Sequence, residues 1–119
     1  MEPFDDSSPI YLQIADRIRR SVLSGELREG DQVMSTTQYA TTHRINPATA
    51  AKAMGLLVDE GLIHKRRGIG MFVSDGAREQ LRTARRESYW EQVMQPALDD
   101  ARALGITTDE IITWLKETS

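Results

Sequence analysis

Asn46, Ala48, Thr49 and Lys52 are spaced so that, on one helix, they project from a single side near its N-terminal end. Asn and Thr side chains hydrogen-bond base edges. Ala48 or the Thr49 methyl can pack on a thymine methyl, and Lys52 has the reach for a guanine or a phosphate. A second concentration, His64-Lys65-Arg66-Arg67-Gly68, sets four potentially cationic side chains beside a glycine, with Gly70 two positions on. Such a segment suits a nucleic-acid backbone, and its glycine turn suits entry into a narrow minor groove. Each cluster has a plainer reading, a solvated helix face for the first and an ordinary charged hairpin for the second. Small residues on an otherwise exposed helix face favour contact.

Catalytic chemistry has far less to work with. Cysteine is absent, which removes thiolate nucleophiles, disulfides and cysteine-containing zinc or iron–sulfur sites. His43 and His64 lie on different elements with no H-x-x-x-H or H-E-x-x-H spacing. Asp99-Asp100 is a carboxylate pair, but adjacent helix positions do not converge on one point. Gly68-Ile69-Gly70 has no third glycine opening a helix and no Lys-Ser/Thr after it, so it is not a phosphate loop. No enzyme activity, metal or cofactor is expected.

The elements that must position these residues are legible in the pattern. Ile10, Ile14, Ile18 and Val22 recur every four residues, predicting a helix over about 9–24 with Ser8 as its cap, Pro9 at its first position and Gly25 as its stop. A loop with a short extended piece at Gln32–Met34 follows. Ser35-Thr36-Thr37-Gln38 is a capping box opening a short helix through about His43 that buries Tyr39 and Ala40. Asn46-Pro47 starts a third helix over about 47–59, with Ala50, Ala53, Met54 and Leu57 facing inward and Gly61 as its stop. Only Arg44–Asn46 connect the second and third helices, a tight helix-turn-helix. Leu62–Arg66 and Met71–Ser74 then read as a hairpin around Arg67–Gly70, and a helix-turn-helix followed by a hairpin is a winged helix.

From Pro9 to Val73 the chain resembles the GntR family of bacterial transcription regulators. The likeness is carried by Pro9-Ile-Tyr-Leu-Gln-Ile, by Ser24-Gly-Glu-Leu-Arg-Glu-Gly-Asp31, by Glu60-Gly-Leu-Ile63 and by the wing Arg66-x-Gly68-x-Gly70-x-Phe72-Val73. Ile45-Asn46-Pro47-x-Thr49, with a tail of only about 45 residues, is similar to the YtrA subfamily, whose C-terminal part is a small helical dimerisation unit. The resemblance implies a bacterial repressor of its own operon, contacting DNA through the start of the second helix (Ser35, Thr36, Thr37), the third helix and the wing. Thr37 stands where relatives commonly carry a phosphate-binding arginine. Outside the subfamily, arginines are frequent where this chain has Pro47 and Ala51. Met34 and Met71 replace the usual Pro and Thr. DNA contact here therefore rests more on backbone amides, hydroxyls and the wing than on an arginine row.

After Ala77 the pattern is helical to about Leu104, stopped by Gly105. A kink is expected over 92–96 because Pro96 lacks an N–H. Thr107-Thr-Asp-Glu110 is another capping box, opening a last helix of about 108–117. Trp90, Val93, Ala97, Ala101 and Leu104, with Met94 and Leu98 alongside, form an apolar stripe too wide for the short last helix to cover. A second copy would cover it, with Ile111, Trp114 and Leu115 in the same interface; the plainer reading folds the stripe back onto its own chain. The expected architecture is mostly α with a small β-hairpin: a winged helix-turn-helix over 1–74 and a helical dimerisation tail over 75–119.

The bulk composition agrees. At 119 residues, 39% hydrophobic and 28% charged, the chain suits a soluble globule. Its net charge of −3 argues weakly against nucleic acid. The excess acid lies after residue 74, however, and within 40–74 Arg44, Lys52, Lys65, Arg66 and Arg67 meet only Asp59 and Glu60. MEPFDDSSP is acidic where a signal peptide is basic, and no apolar run reaches the roughly eighteen residues of a membrane span, so a cytoplasmic protein is expected. The partners expected are a double-stranded DNA operator and a second copy, with no membrane and an effector left open. The alternative is a winged-helix adaptor that docks protein or RNA on its hairpin.

Overall fold

The computed structural model describes residues 3–119. The chain divides into two compact units, Met1–Arg82 and Thr83–Ser119. In the first, helix α1 (Ile10–Ser24) buries Ile14, Ile18 and Val22, the stripe its four-residue spacing predicts. Gly25 ends it with φ +88°, a left-handed conformation open to a residue without Cβ. The start differs from expectation. Pro9 is itself the cap residue, outside the helix, and no side chain caps the first turn. Gln13 instead reaches back, its Nε2 donating to the carbonyls of Asp5 (2.8 Å) and Ser8 (2.7 Å), and so ties the preceding segment to α1.

Helices α2 (Thr36–His43) and α3 (Pro47–Asp59) are joined by the short turn that the sequence predicts. Arg44 holds that turn in the left-handed region at φ +53°, and the Ile45 N–H donates to the Ala40 carbonyl at 3.0 Å. Ala50, Ala53, Met54 and Leu57 of α3 are all buried against α1 and α2.

Strands β2 (Ile63–Arg66) and β3 (Gly70–Val73) form the hairpin, in the register Ile63↔Val73 to Arg66↔Gly70. The extended piece before α2 proves to be a third strand, β1 (Gln32–Val33), antiparallel to β3, so the sheet order is β1-β3-β2. This crossing fixes Gly70 tightly. Its φ is +141°, and a Cβ there would lie 2.5 Å from Gln32 Nε2. Gly70→Ala is expected to lower the midpoint of thermal unfolding, with a cost of about 1–3 kcal/mol from backbone strain.

Helix α4 (Ala77–Tyr89) begins in the first unit, where Ala77 is buried and Leu81 packs on the core, and ends in the second. There it passes through a π-helical turn at Trp90–Met94 into α5 (Gln95–Ala103). The distortion expected over 92–96 is therefore centred slightly earlier and does not break the helix. In an α-helix the Pro96 ring would strike the carbonyl four residues back; one wider turn, with the Gln95 N–H donating to the Trp90 carbonyl, makes room for it. Gly105 stops α5, and the Thr107–Glu110 capping box opens α6 (Thr108–Thr118). No residue of 83–119 is buried.

Candidate nucleic-acid interface

The N-terminal end of α3 presents Asn46, Ala48 and Lys52 as exposed side chains and Thr49 as half-buried. Asn46 carries two duties. Its Oδ1 accepts the Ala48 N–H at 2.8 Å, capping the helix, which leaves the amide NH2 as the group available to a ligand. Asn46→Ala should cost about 1 kcal/mol of stability through the lost cap, whereas Asn46→Asp keeps the acceptor; chemical unfolding of the two variants separates capping from recognition.

Lys52 is not simply solvated. Its Nζ lies 4.1 Å from the centroid of the Tyr11 ring, a cation–π contact between α3 and the start of α1. Together with Pro9, Ile10, Ala48 and Thr49 these two residues line an open depression of about 650 Å³. The sequence reading did not single out Tyr11. Its only signal was an aromatic ring one position off the apolar stripe of α1.

At the start of α2 the capping box is complete: the Ser35 hydroxyl accepts the Gln38 N–H at 3.1 Å, and Gln38 Oε1 accepts the Ser35 N–H at 3.2 Å. Ser35 and Thr37 are exposed and Thr36 is half-buried. These hydroxyls open a helix, where backbone amides and the dipole favour an anion such as a phosphate.

The wing divides its cations. Arg66 lies over the Phe72 ring at 5.0 Å, and His64 stacks with the same ring, with 6.2 Å between ring centroids and its Nδ1 3.0 Å from Ser74 Oγ. Lys65, Arg66, Arg67 and Gly68 are all exposed, and Gly70 is half-buried at the base of the turn. The turn closes with the Ile69 N–H donating to the Arg66 carbonyl at 3.0 Å. Gln32 of β1 then donates from Nε2 to the Ile69 carbonyl at 3.2 Å. Sequence reasoning missed Gln32 as well, since its partner is far along the chain.

Behind α2, the His43 ring sits 4.2 Å from that of Tyr39. Burial, with Arg17 nearby, lowers the His43 pKa. Burial raises that of Tyr39. The folded state thus prefers neutral His43, so stability should rise with pH through the window between the lowered value and the unfolded value of about 6.5. It should fall as pH drops through that window, and His43→Gln should flatten this part of a stability-versus-pH curve. Among the described residues no three His, Cys, Asp or Glu groups converge to hold a metal, and no helix is long and apolar enough to cross a membrane.

Comparison with known proteins matches residues 10–73 to the bacterial regulatory proteins of the gntR family. Over 113 residues the chain is 34% identical to the HTH-type transcriptional repressor YtrA of Bacillus subtilis, covering 95% of this chain and 86% of that protein. Its fold is similar to that of a GntR family transcriptional regulator from Listeria monocytogenes, with TM-score 0.73, 30% identity and coverage of 98% and 100% of the two chains. It is also similar to YtrA from Sulfolobus acidocaldarius, a GntR-family transcription factor, with TM-score 0.59, 28% identity and coverage of 98% and 94%. With the winged helix, the exposed α3 face and these likenesses in agreement, the chain belongs to the GntR family: it is a DNA-binding transcription regulator and not an enzyme.

Proposed function

We propose that this regulator is a cytoplasmic repressor that binds a two-fold symmetric operator as a homodimer. The observation that carries the dimer is the second unit. Residues 83–119 bury none of their side chains, and Trp90, Leu104 and Trp114 are 66%, 77% and 63% exposed. Apolar surface on that scale needs covering, and a closed homodimer covers it with the same face twice. Val93, Met94, Ala97, Ala101, Ile111 and Leu115 complete the interface, with the π turn setting how Trp90 and Val93 lie relative to the residues after Pro96. The sign of regulation follows the relative whose name describes a repressor.

On DNA, α3 supplies base contacts through Asn46, Ala48 and Thr49 and a phosphate contact through Lys52, while Ser35, Thr36 and Thr37 hold the backbone at the start of α2. The wing follows the adjacent backbone with Lys65 and Arg67, with Arg66 braced by Phe72 and with Gly68 and Gly70 allowing close approach. Selection of bound sequences from a random DNA pool tests this reading. The expected result is an inverted repeat whose half-site centres lie about one helical turn, or a multiple, apart. An asymmetric site bound by one protomer would overturn it.

A further inference from the structure

Two arginines on α1 are treated differently by the fold. Arg19 pairs with Glu60 at 2.6 Å and with Asp16 at 2.6 Å. Arg17, one half-turn away, forms no ion pair among the described residues. Its Nη2 donates to the Pro3 carbonyl at 3.1 Å and its guanidinium carbon lies 4.0 Å from the Phe4 ring centroid, while Nη1 is closed to water and has no hydrogen-bond partner among the described residues. A guanidinium keeps its charge at any physiological pH, and leaving one of its donors buried and unpaired is costly. Such a group in a native fold calls for a partner.

Arg17 also lines a groove of about 410 Å³ between α1, the segment before β1, and α2. That volume falls in the range of about 300–1,000 Å³ usual for small-molecule sites. Ile18, Leu27 and Val33 give it apolar walls, and Tyr39 and His43 close one side with their rings. Glu26 lines it too, and its carboxylate disfavours a ligand with a second negative charge. Gln32 is a further lining residue, and the same side-chain amide holds the Ile69 carbonyl at the wing tip. The groove therefore shares a residue with the element that grips DNA.

We propose that this groove is an effector site for a small monocarboxylate with a short apolar body, its carboxylate paired with Arg17 and its body against Ile18, Leu27 and Val33. A planar guanidinium fork matches a carboxylate in a way that a neutral polar group does not. The ligand reaches Nη1 by displacing the Pro3–Phe4 segment from the guanidinium. Its effect on DNA passes through Gln32 and the wing; this part rests on the DNA-binding role given above, and by linkage DNA must alter the ligand's affinity by the same factor.

Phenylacetate is a suitable probe, with 2-phenylethanol and inorganic phosphate as controls, in an amide and imidazole NMR titration of the full chain. Phenylacetate is expected to shift the amides of Arg17, Ser21, Tyr39 and His43 saturably, with both controls weaker by about tenfold or more. It should also raise the His43 pKa, because neutralising Arg17 removes one of the charges that depress it. Arg17→Gln should weaken the titration by about tenfold or more. Leu27→Trp, which fills the groove and leaves Arg17 in place, should do the same if Arg17→Gln fails to fold. No saturable binding, equal binding of 2-phenylethanol, or binding untouched by Leu27→Trp would overturn the site. DNA affinity measured with and without saturating phenylacetate tests the effector role, which an unchanged affinity would sink. A chain that titrates with phenylacetate but binds no DNA would retain the carboxylate site and remove the regulatory reading instead.

Discussion

Ending the chain at Arg82 should leave a folded monomer that binds its operator about a hundredfold or more weakly than the full-length protein. The folded part of this expectation comes from the core. Its buried set runs from Ile14 to Ala77, with Leu81 packed against it, and Arg78 and Gln80 bond the carbonyls of Leu23 (3.1 Å) and Glu60 (2.8 Å). The buried core of the winged helix therefore lies before residue 83. A cut after Ser74, the boundary expected from the sequence, would strip Ala77 from the core and confuse unfolding with loss of the dimer. The binding part comes from linkage. Two recognition helices held in one dimer make the second contact intramolecular, which raises avidity by about 10²–10⁴ without any new contact. The double variant Leu104→Asp, Trp114→Asp isolates the same effect in a full-length chain, since both side chains are mostly exposed within the single chain and their loss removes little packing inside it. Sedimentation and operator titration should show monomer and weak binding together. A truncated chain that remains dimeric, or binds as tightly as the whole, would defeat the assignment of the tail.

The recognition helix and the wing should also separate, because they supply different kinds of energy. Replacing Thr49 by Ala removes a base contact worth roughly 1–3 kcal/mol at particular positions, relaxing sequence preference while leaving the salt dependence nearly unchanged. Arg67→Ala should do the reverse. If Arg67 neutralises one phosphate in each protomer, the dimer loses two contacts, and the slope of log affinity against log salt becomes shallower by about 2 on operator and random DNA alike. Asn46 is a poor choice for this comparison because it caps α3. Lys52, held over the Tyr11 ring, is expected to side with the wing. A lone lysine reads bases less decisively than a bidentate arginine, and the contact at 4.1 Å already directs its ammonium towards α1. Titrations at several salt concentrations decide: an unchanged slope for Arg67→Ala with a selective loss on operator would mean that the wing reads sequence.

What the sequence determined by itself is what depends on residues within about four positions of one another. The apolar spacing of α1 and α3, the capping boxes at Ser35 and Thr107, the Asn46-Pro47 start, the glycine stops and the hairpin turn are all of this kind, and the structure forms each of them. The exposed face of α3 and the basic wing were legible for the same reason: once the buried face of an element is known, the opposite face follows from geometry. The cap of α1 was the local exception: Pro9 and not Ser8 is the cap residue, and Gln13 binds the carbonyls of Asp5 and Ser8 in the chain that precedes it.

Tertiary structure alone decided the rest. β1 is two residues long, too short to carry a pattern, and becomes a strand only because β3 lies beside it. Gln32 braces the wing tip from far along the chain, Tyr11 takes the Lys52 ammonium, and Phe72 meets Arg66 and not Arg67. Arg17 and Arg19 are the same residue type on the same helix, yet among the described residues Arg19 finds two carboxylates and Arg17 none. The i,i+3 spacing to Asp16 marks one of these pairs in the sequence, but nothing along the chain marks the pairing of Arg19 with Glu60. The partner of a polar side chain is set by which distant segment packs against it, and that is fixed only when the core that draws the segments together has formed.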